Sequence, residues 1–237
     1  MVDETLKSAE GAGPRARRAT TAEILLDGLD PAKGAVVVVD MQNDFCDPAG
    51  AMATGGVDVS ASARALAPLE EVLGDARRHG ALVVFVRLES EPRSITDAQR
   101  LVAAANGKPE VWVCGPGTWG AEIHDSLHVL ESDLVVTKHL YSAFAGTGLD
   151  ELLRSRGIDH VIVTGTTANV CVQATAMDAY LHGFSVVVAR DLVGFVNSVA
   201  ADAALANLAG YYALVCTSEA LSTAWQRRAE REAAQPS

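Results

Sequence analysis

Six short stretches of the chain are apolar at successive positions rather than at alternate ones. They are AVVVVD (35–40), LVVFVR (82–87), LVVTKH (134–139), HVIVTG (160–165), SVVVAR (185–190) and YYALVC (211–216). A strand with one wet face alternates, whereas a strand covered on both faces reads as a continuous apolar run, as in a parallel sheet. Between the runs lie segments with apolar residues three and four apart. ASARALAPLEEVLGDARRHG ends at Gly80, GLDELLRSRG at Gly157, VCVQATAMDAYLHG at Gly183 and VAADAALANLAG at Gly210. A glycine just past an amphipathic stretch is a helix stop. The alternation of strand and helix predicts an α/β fold, a three-layer αβα sandwich around about six parallel strands. The segment 88–133, with NGKPEVWVCGPGTWGAE inside it, is long, rich in Gly, Pro and Trp, and reads as a functional loop.

Composition narrows the function classes. The chain has 237 residues, 49% of them hydrophobic, and a formal net charge of −11. That length suits a mobile N-terminal tail, 1–20, followed by a single domain, 21–237. An acidic chain repels phosphate backbones, so a nucleic-acid partner is not expected. No apolar run is long enough to span a membrane, and the N-terminus lacks the apolar core of a secretory signal. Cys46, Cys114, Cys171 and Cys216 are widely spaced with no CxxC, which argues against a disulfide framework and fits a reduced, cytoplasmic protein.

In parallel α/β sheets, ligands bind beyond the carboxyl ends of the strands. The residues to weigh there are Asp40, Arg87 to Glu89, Lys138, the turn from Gly165 to Cys171, and Asp191. Asp40 follows four valines, so its carboxylate stands at the mouth of an apolar strand; from position alone it could equally be a loop cap. Lys138 is one of only four lysines among nineteen basic residues, and the only one at a predicted strand end. A compact ammonium whose pKa responds to its surroundings fits that place better than a solvated surface charge. Cys171 opens a helix directly after a buried strand and a turn. A buried cysteine is ordinarily a small hydrophobe. Here the helix start favours a thiolate, and Asp40 and Lys138 stand at neighbouring strand exits.

The stretches VVVVDMQNDFC, VTKHLYSAF and VTGTTANVCVQATAMDAYLHGF, in this order, resemble the isochorismatase-like cysteine hydrolases over residues 33 to 220. The resemblance implies a catalytic triad of Asp40, Lys138 and Cys171. It also implies a cis peptide between Thr166 and Thr167, and an oxyanion hole made by the N–H groups of Thr167 and Cys171. Oligomers, dimeric or tetrameric, are implied by the same resemblance. The nicotinamidases of this family hold a metal on an Asp and two His after the second strand. The segment RLESEPRSITDAQR has no histidine, and His124 and His128, four apart on an expected helix, lie in another region; no metal and no cofactor are expected. Cys171 argues against the vinyl ether hydrolase branch, which lacks the nucleophile.

The expected activity is therefore hydrolysis of a C–N bond in a small amide, ureido or carbamoyl substrate through a thioester. GTWGAEI, KHLYSAF and GLDELLRSRG resemble the ureidoacrylate and N-carbamoyl amide branch. Lactam or nicotinamide-type amides, or redox sensing by Cys171, are the alternatives. Phe45, Trp119, Tyr141, Phe144 and Asn169 fall in loops expected at the pocket mouth and are the candidate substrate-binding residues. One departure stands out. Relatives commonly read Gly-x-Ala-Thr-Asn-x-Cys, where this chain has Thr167 in place of the Ala and Ala168 in place of the Thr.

Overall fold

The computed structural model describes residues 21–107 and 113–234; the expected tail, Lys108 and the last three residues lie outside them. The strands are β1 Gly34–Val39, β2 Leu82–Leu88, β3 Leu134–Lys138, β4 His160–Gly165, β5 Ser185–Val193 and β6 Leu214–Cys216. The α-helices are α1 Thr21–Gly28, α2 Asn43–Cys46, α3 Ala51–Thr54, α4 Ser60–Arg78, α5 Asp97–Ala105, α6 Leu149–Arg154, α7 Gln173–Leu181, α8 Ser198–Tyr211 and α9 Ser218–Ala233. All six strands pair in parallel in the order β3-β2-β1-β4-β5-β6.

The valine run of β1 explains itself in this sheet. Every residue of β1 is buried, with Val36 and Val38 in one apolar layer and Ala35, Val37 and Val39 in the other. Val36 and Val38 pack under α4 and α9, alongside Leu69, Leu73 and Trp225. Val37 and Val39 pack under α6, α7 and α8, with Leu149, Leu153, Ala176 and Leu208. Each fully buried valine contributes about 1.5–3 kcal/mol relative to exposure, so the central strand is the best anchored element of the fold.

Three of the expected helix stops hold: Gly80, Gly157 and Gly183 all have positive φ. Gly210 does not stop its helix. It lies inside α8, which runs on to Tyr211, and the last strand shrinks from the expected 211–216 to Leu214–Cys216. The Tyr211–Tyr212 pair, β-prone by composition, is spent on the helix end and on ring contacts with each other and with Tyr180. β5 is longer than expected, because a register irregularity opposite Val163 and Gly165 lets the strand resume pairing at Val193. Asp191 consequently lies within β5 rather than at its exit. Its carboxylate accepts hydrogen bonds from the Ser218 N–H and hydroxyl at the start of α9.

Candidate active site

The strand order reverses direction between β1 and β4, and a crevice outside the carboxyl ends of two such strands is the usual ligand site of an open α/β sheet. Asp40 leaves β1 and the Gly165–Cys171 turn leaves β4 at this point. These two exits are neighbours. Lys138 is not on a neighbouring strand, as the sequence suggested; it ends the edge strand β3, with β2 in between. Two strand spacings amount to roughly 10 Å. A long stem is needed to cover that gap, and the ammonium of Lys138 arrives 2.9 Å from Asp40 Oδ2.

Both partners are 0% exposed. Asp40 takes a left-handed backbone conformation, φ 54°, and its N–H donates to Val86 O on β2 at 2.8 Å. Lys138 Nζ donates to Leu140 O at 2.9 Å. The Asp40 carboxylate is thus paired with the Lys138 ammonium and faces the Cys171 thiol. Burial pushes the Asp40 carboxyl above its usual range, against the opposing pull of the Lys138 ammonium. Burial is the strongest single influence on Lys138 and would depress it, but Asp40 and Cys171 beside it together outweigh this and hold the ammonium above the ordinary lysine value.

Cys171 lies in the same electrostatic environment. Its thiol is pushed up by burial and by the Asp40 charge, with Lys138 pulling the other way. Burial and Asp40 both act against the thiolate that a helix start would favour. The local backbone differs too. Ala168–Val172 form a π-helical turn ahead of α7, so Cys171 sits late in a wide turn rather than at the first residue of an α-helix. Cys46 and Cys216 are buried with thiols pushed up to about 12, chiefly by burial, and Cys114 is raised for the same reason.

The turn before Cys171 is tied down on several sides. Gly165 has φ 103°, and a Cβ there would lie 2.0 Å from Val39 O, so no larger residue fits. The Thr166 N–H donates to Val39 O, the Ala168 N–H to Gly194 O and the Gly194 N–H to Gly165 O. The Thr166–Thr167 peptide is cis. Thr167 O accepts from the N–H groups of Val170 and Val172, while the Thr167 N–H donates to no group among the described residues.

The polar residues after Asp40 fasten the long loop over the site, a role the sequence reading did not assign. Gln42 is fully buried; its amide NH2 donates to Leu88 O and Ala121 O, and its Oε1 accepts from the Leu88 N–H. Asn43 donates to Trp119 O. Asp44 accepts from the Ala51 N–H at 2.8 Å and the Cys114 N–H at 2.6 Å. A Cβ on Gly120 would collide with that carboxyl, so the glycine in GTWGAE permits the close approach. The signal was present in the run QND followed by a Gly-rich loop, but a single sequence does not reveal which polar groups are buried.

The candidate pocket residues separate. Trp119 and Tyr141 are exposed, and Trp119 is held beside the Asp40 loop through its carbonyl. Asn169 is partly exposed in the π turn. Phe45 packs half-buried against the core on the α4 side. Phe144 is a core side chain, stacked on His182 at 5.3 Å and tilted against Phe184. His124 and His128 are in irregular chain, not on a helix, and lie beside Asp47 and Glu70 respectively. Among the described residues no three His, Cys, Asp or Glu side chains are grouped to hold a metal ion. A groove of about 530 Å³ lined by Tyr180, Phe184, Tyr211 and Tyr212 opens at the opposite, amino-terminal edge of β5 and β6, away from these groups.

Comparison with known proteins places this arrangement. The chain is 33% identical over 177 residues to the ureidoacrylate amidohydrolase RutB of Pantoea ananatis, a match covering 69% of this chain and 70% of that protein. Its structure is similar to N-carbamoylsarcosine amidase from Thermoplasma acidophilum, with a TM-score of 0.64 and 31% identity, covering 79% of this chain and 97% of that one. A cysteine hydrolase from Pseudomonas syringae pv. phaseolicola shares the fold at a TM-score of 0.73 and 24% identity, over 84% of this chain and 95% of that one. The sequence model of the Isochorismatase domain matches residues 34–220, and the chain belongs to that family.

Proposed function

We propose that this protein is a cysteine-dependent amidohydrolase that cleaves a non-peptide C–N bond of a small amide, ureido or carbamoyl compound. The observation that carries the reading is the convergence of a fully buried Asp40–Lys138 ion pair and the Cys171 turn at the point where the sheet order reverses. The similarity to a ureidoacrylate amidohydrolase and an N-carbamoylsarcosine amidase supports the substrate class.

In the proposed reaction the Asp40 carboxylate accepts the thiol proton as Cys171 Sγ attacks the carbonyl carbon. The carbonyl oxygen becomes an oxyanion and takes hydrogen bonds from the N–H groups of Thr167 and Cys171. Asp40, now a carboxylic acid, gives its proton to the leaving nitrogen, and the C–N bond breaks to leave a thioester on Cys171. Asp40 then draws a proton from water, which attacks the thioester; the C–S bond breaks to release the acid, and Asp40 returns the proton to the Cys171 sulfur. A carboxyl raised by burial is suited to both halves of this cycle, because it donates and accepts at closer to neutral pH than a solvated one. Lys138 holds Asp40 and offsets the negative charge that the thiolate brings into a dry site.

The test is ammonia release from a panel of small amides, ureas and carbamoyl compounds, run with the wild type and with Cys171→Ala and Cys171→Ser. Turnover by the wild type, with a loss of several orders of magnitude in both folded variants, is expected. Turnover retained by Cys171→Ala would end the reading.

A further inference from the structure

We propose that the Thr167 hydroxyl is a third donor to the substrate oxyanion, so that Thr167 is a catalytic residue through its side chain as well as its backbone. This rests on the hydrolase reading above and deepens it. Three hydroxyls form a chain running from α4 to the nucleophile turn. Ser62 Oγ on α4 lies 2.9 Å from Thr166 Oγ1, and Thr166 Oγ1 donates to Thr167 Oγ1 at 3.3 Å. Either hydroxyl can donate in the first link; with the single Thr166 hydrogen on Thr167, Ser62 is the donor there. Thr167 Oγ1 therefore has an acceptor site filled from behind, and its own hydrogen finds no acceptor among the described residues.

Of the three residues around the cis peptide and the turn, Thr167 is the open one. Thr166 and Ala168, on either side, are 2% and 0% exposed, whereas Thr167 is partly open. The same residue carries the unengaged N–H assigned to the oxyanion. Thr167 also closes the π turn around Cys171 by accepting from the Val172 N–H. Both a free N–H and a free O–H thus belong to one residue of the turn that holds the nucleophile. The neighbouring substitution fits this arrangement. The Ala168 methyl packs in the core layer with Val163 and Val172, where a hydroxyl would need a partner that the apolar surroundings do not offer. This chain places the hydroxyl one residue earlier, where Ser62 and Thr166 support it. The close fit of Gly194 against Ser62, where a Cβ would lie 2.4 Å from the serine oxygen, keeps Ser62 in place.

A donor that acts only as charge develops changes kcat more than KM. Removing one oxyanion donor costs about 10²–10³-fold. The experiment compares the wild type with Thr167→Val, Thr167→Ser, Ser62→Ala and Cys171→Ala, using N-carbamoylglycine and propionamide as probes and ammonia release as the readout. Thermal melting checks that each variant is folded. Thr167→Val should lose about 10²-fold in kcat with KM changed little, as expected for a lost oxyanion donor. Thr167→Ser, which keeps the hydroxyl, should recover most of it, and Ser62→Ala should fall between. If Thr167→Val melts early, Thr167→Ala replaces it in the comparison with Thr167→Ser. Thr167→Val turning over like the wild type overturns the proposal and leaves the hydrolase reading intact. Thr167→Ser as impaired as Thr167→Val overturns it too, because the methyl would then be the essential group. Ammonia release that survives Cys171→Ala would overturn the hydrolase reading and this proposal together.

Discussion

Replacing Lys138 by methionine keeps the length of the side chain and removes its charge. Asp40 then has no counter-ion at 2.9 Å, while remaining fully buried. Removing one partner of a buried pair costs about 3–5 kcal/mol, because the other charge is left stranded. The carboxyl has one escape, which is to take up a proton. Neutralising at pH 7 a carboxyl whose unfolded pKa is about 3.9 costs about 4 kcal/mol, and at pH 5 about 1.5 kcal/mol. The sign follows from the raised folded pKa. The penalty is present in full above that pKa and is relieved as pH falls through it toward the unfolded value. Urea unfolding at both pH values should show Lys138→Met less stable than the wild type at pH 7, with the gap narrowing on acidification; about 4 kcal/mol is its upper limit at pH 7, because the raised Asp40 carboxyl makes the wild type pH-dependent too. A gap under about 1 kcal/mol at pH 7, or one that does not change with pH, would refute the claim that the pair is charged and dry.

Other outcomes follow from the same geometry. The kcat/KM of the wild type should fall on the acid side with an apparent pKa above that of an ordinary carboxyl, since burial raises Asp40 and the base form is needed; an acid limb at or below the ordinary value, or none, would contradict that role. Gly165→Ala forces a Cβ to within 2.0 Å of Val39 O at φ 103°, so it should cost about 3 kcal/mol or more and abolish turnover, read by denaturant unfolding and ammonia release. Asp44→Ala leaves the Cys114 and Ala51 N–H groups without their acceptor and should cost about 2 kcal/mol or more. Faster amide exchange at Cys114, with exchange in β1 unchanged, would mark the release of the loop.

The strands and three of the helix stops were legible because their causes are local. Consecutive apolar residues mark two covered faces, and a glycine past an amphipathic stretch marks an end. The errors arose where a distant contact decided the outcome. Asp191 is inside β5 because the strand resumes after an irregularity opposite β4. The site was readable in the same uneven way. Asp40, Lys138 and Cys171 stood at strand exits, but their strand order was not in the sequence, so the span that Lys138 must cross was invisible. The influence of burial on their charge states was also hidden: desolvation and Asp40 act against the thiolate that a helix start would favour. Phe144 looked like a loop aromatic and is a core side chain. Gln42 and Asp44 are pins for the loop from Cys114 to Ala121, and polarity alone did not distinguish a pin from a ligand contact.

The central claim is that Cys171 carries the acyl group during turnover. Acid quenching of the wild type during steady-state hydrolysis of an active panel compound, followed by peptide mass analysis, tests it most directly. The account predicts that the peptide containing Cys171 gains the mass of the acyl fragment. The peptides with Cys46, Cys114 and Cys216 should stay unmodified, and the adduct should be absent in Cys171→Ser. Rapid turnover with no adduct on Cys171, or an adduct on another residue, would contradict it.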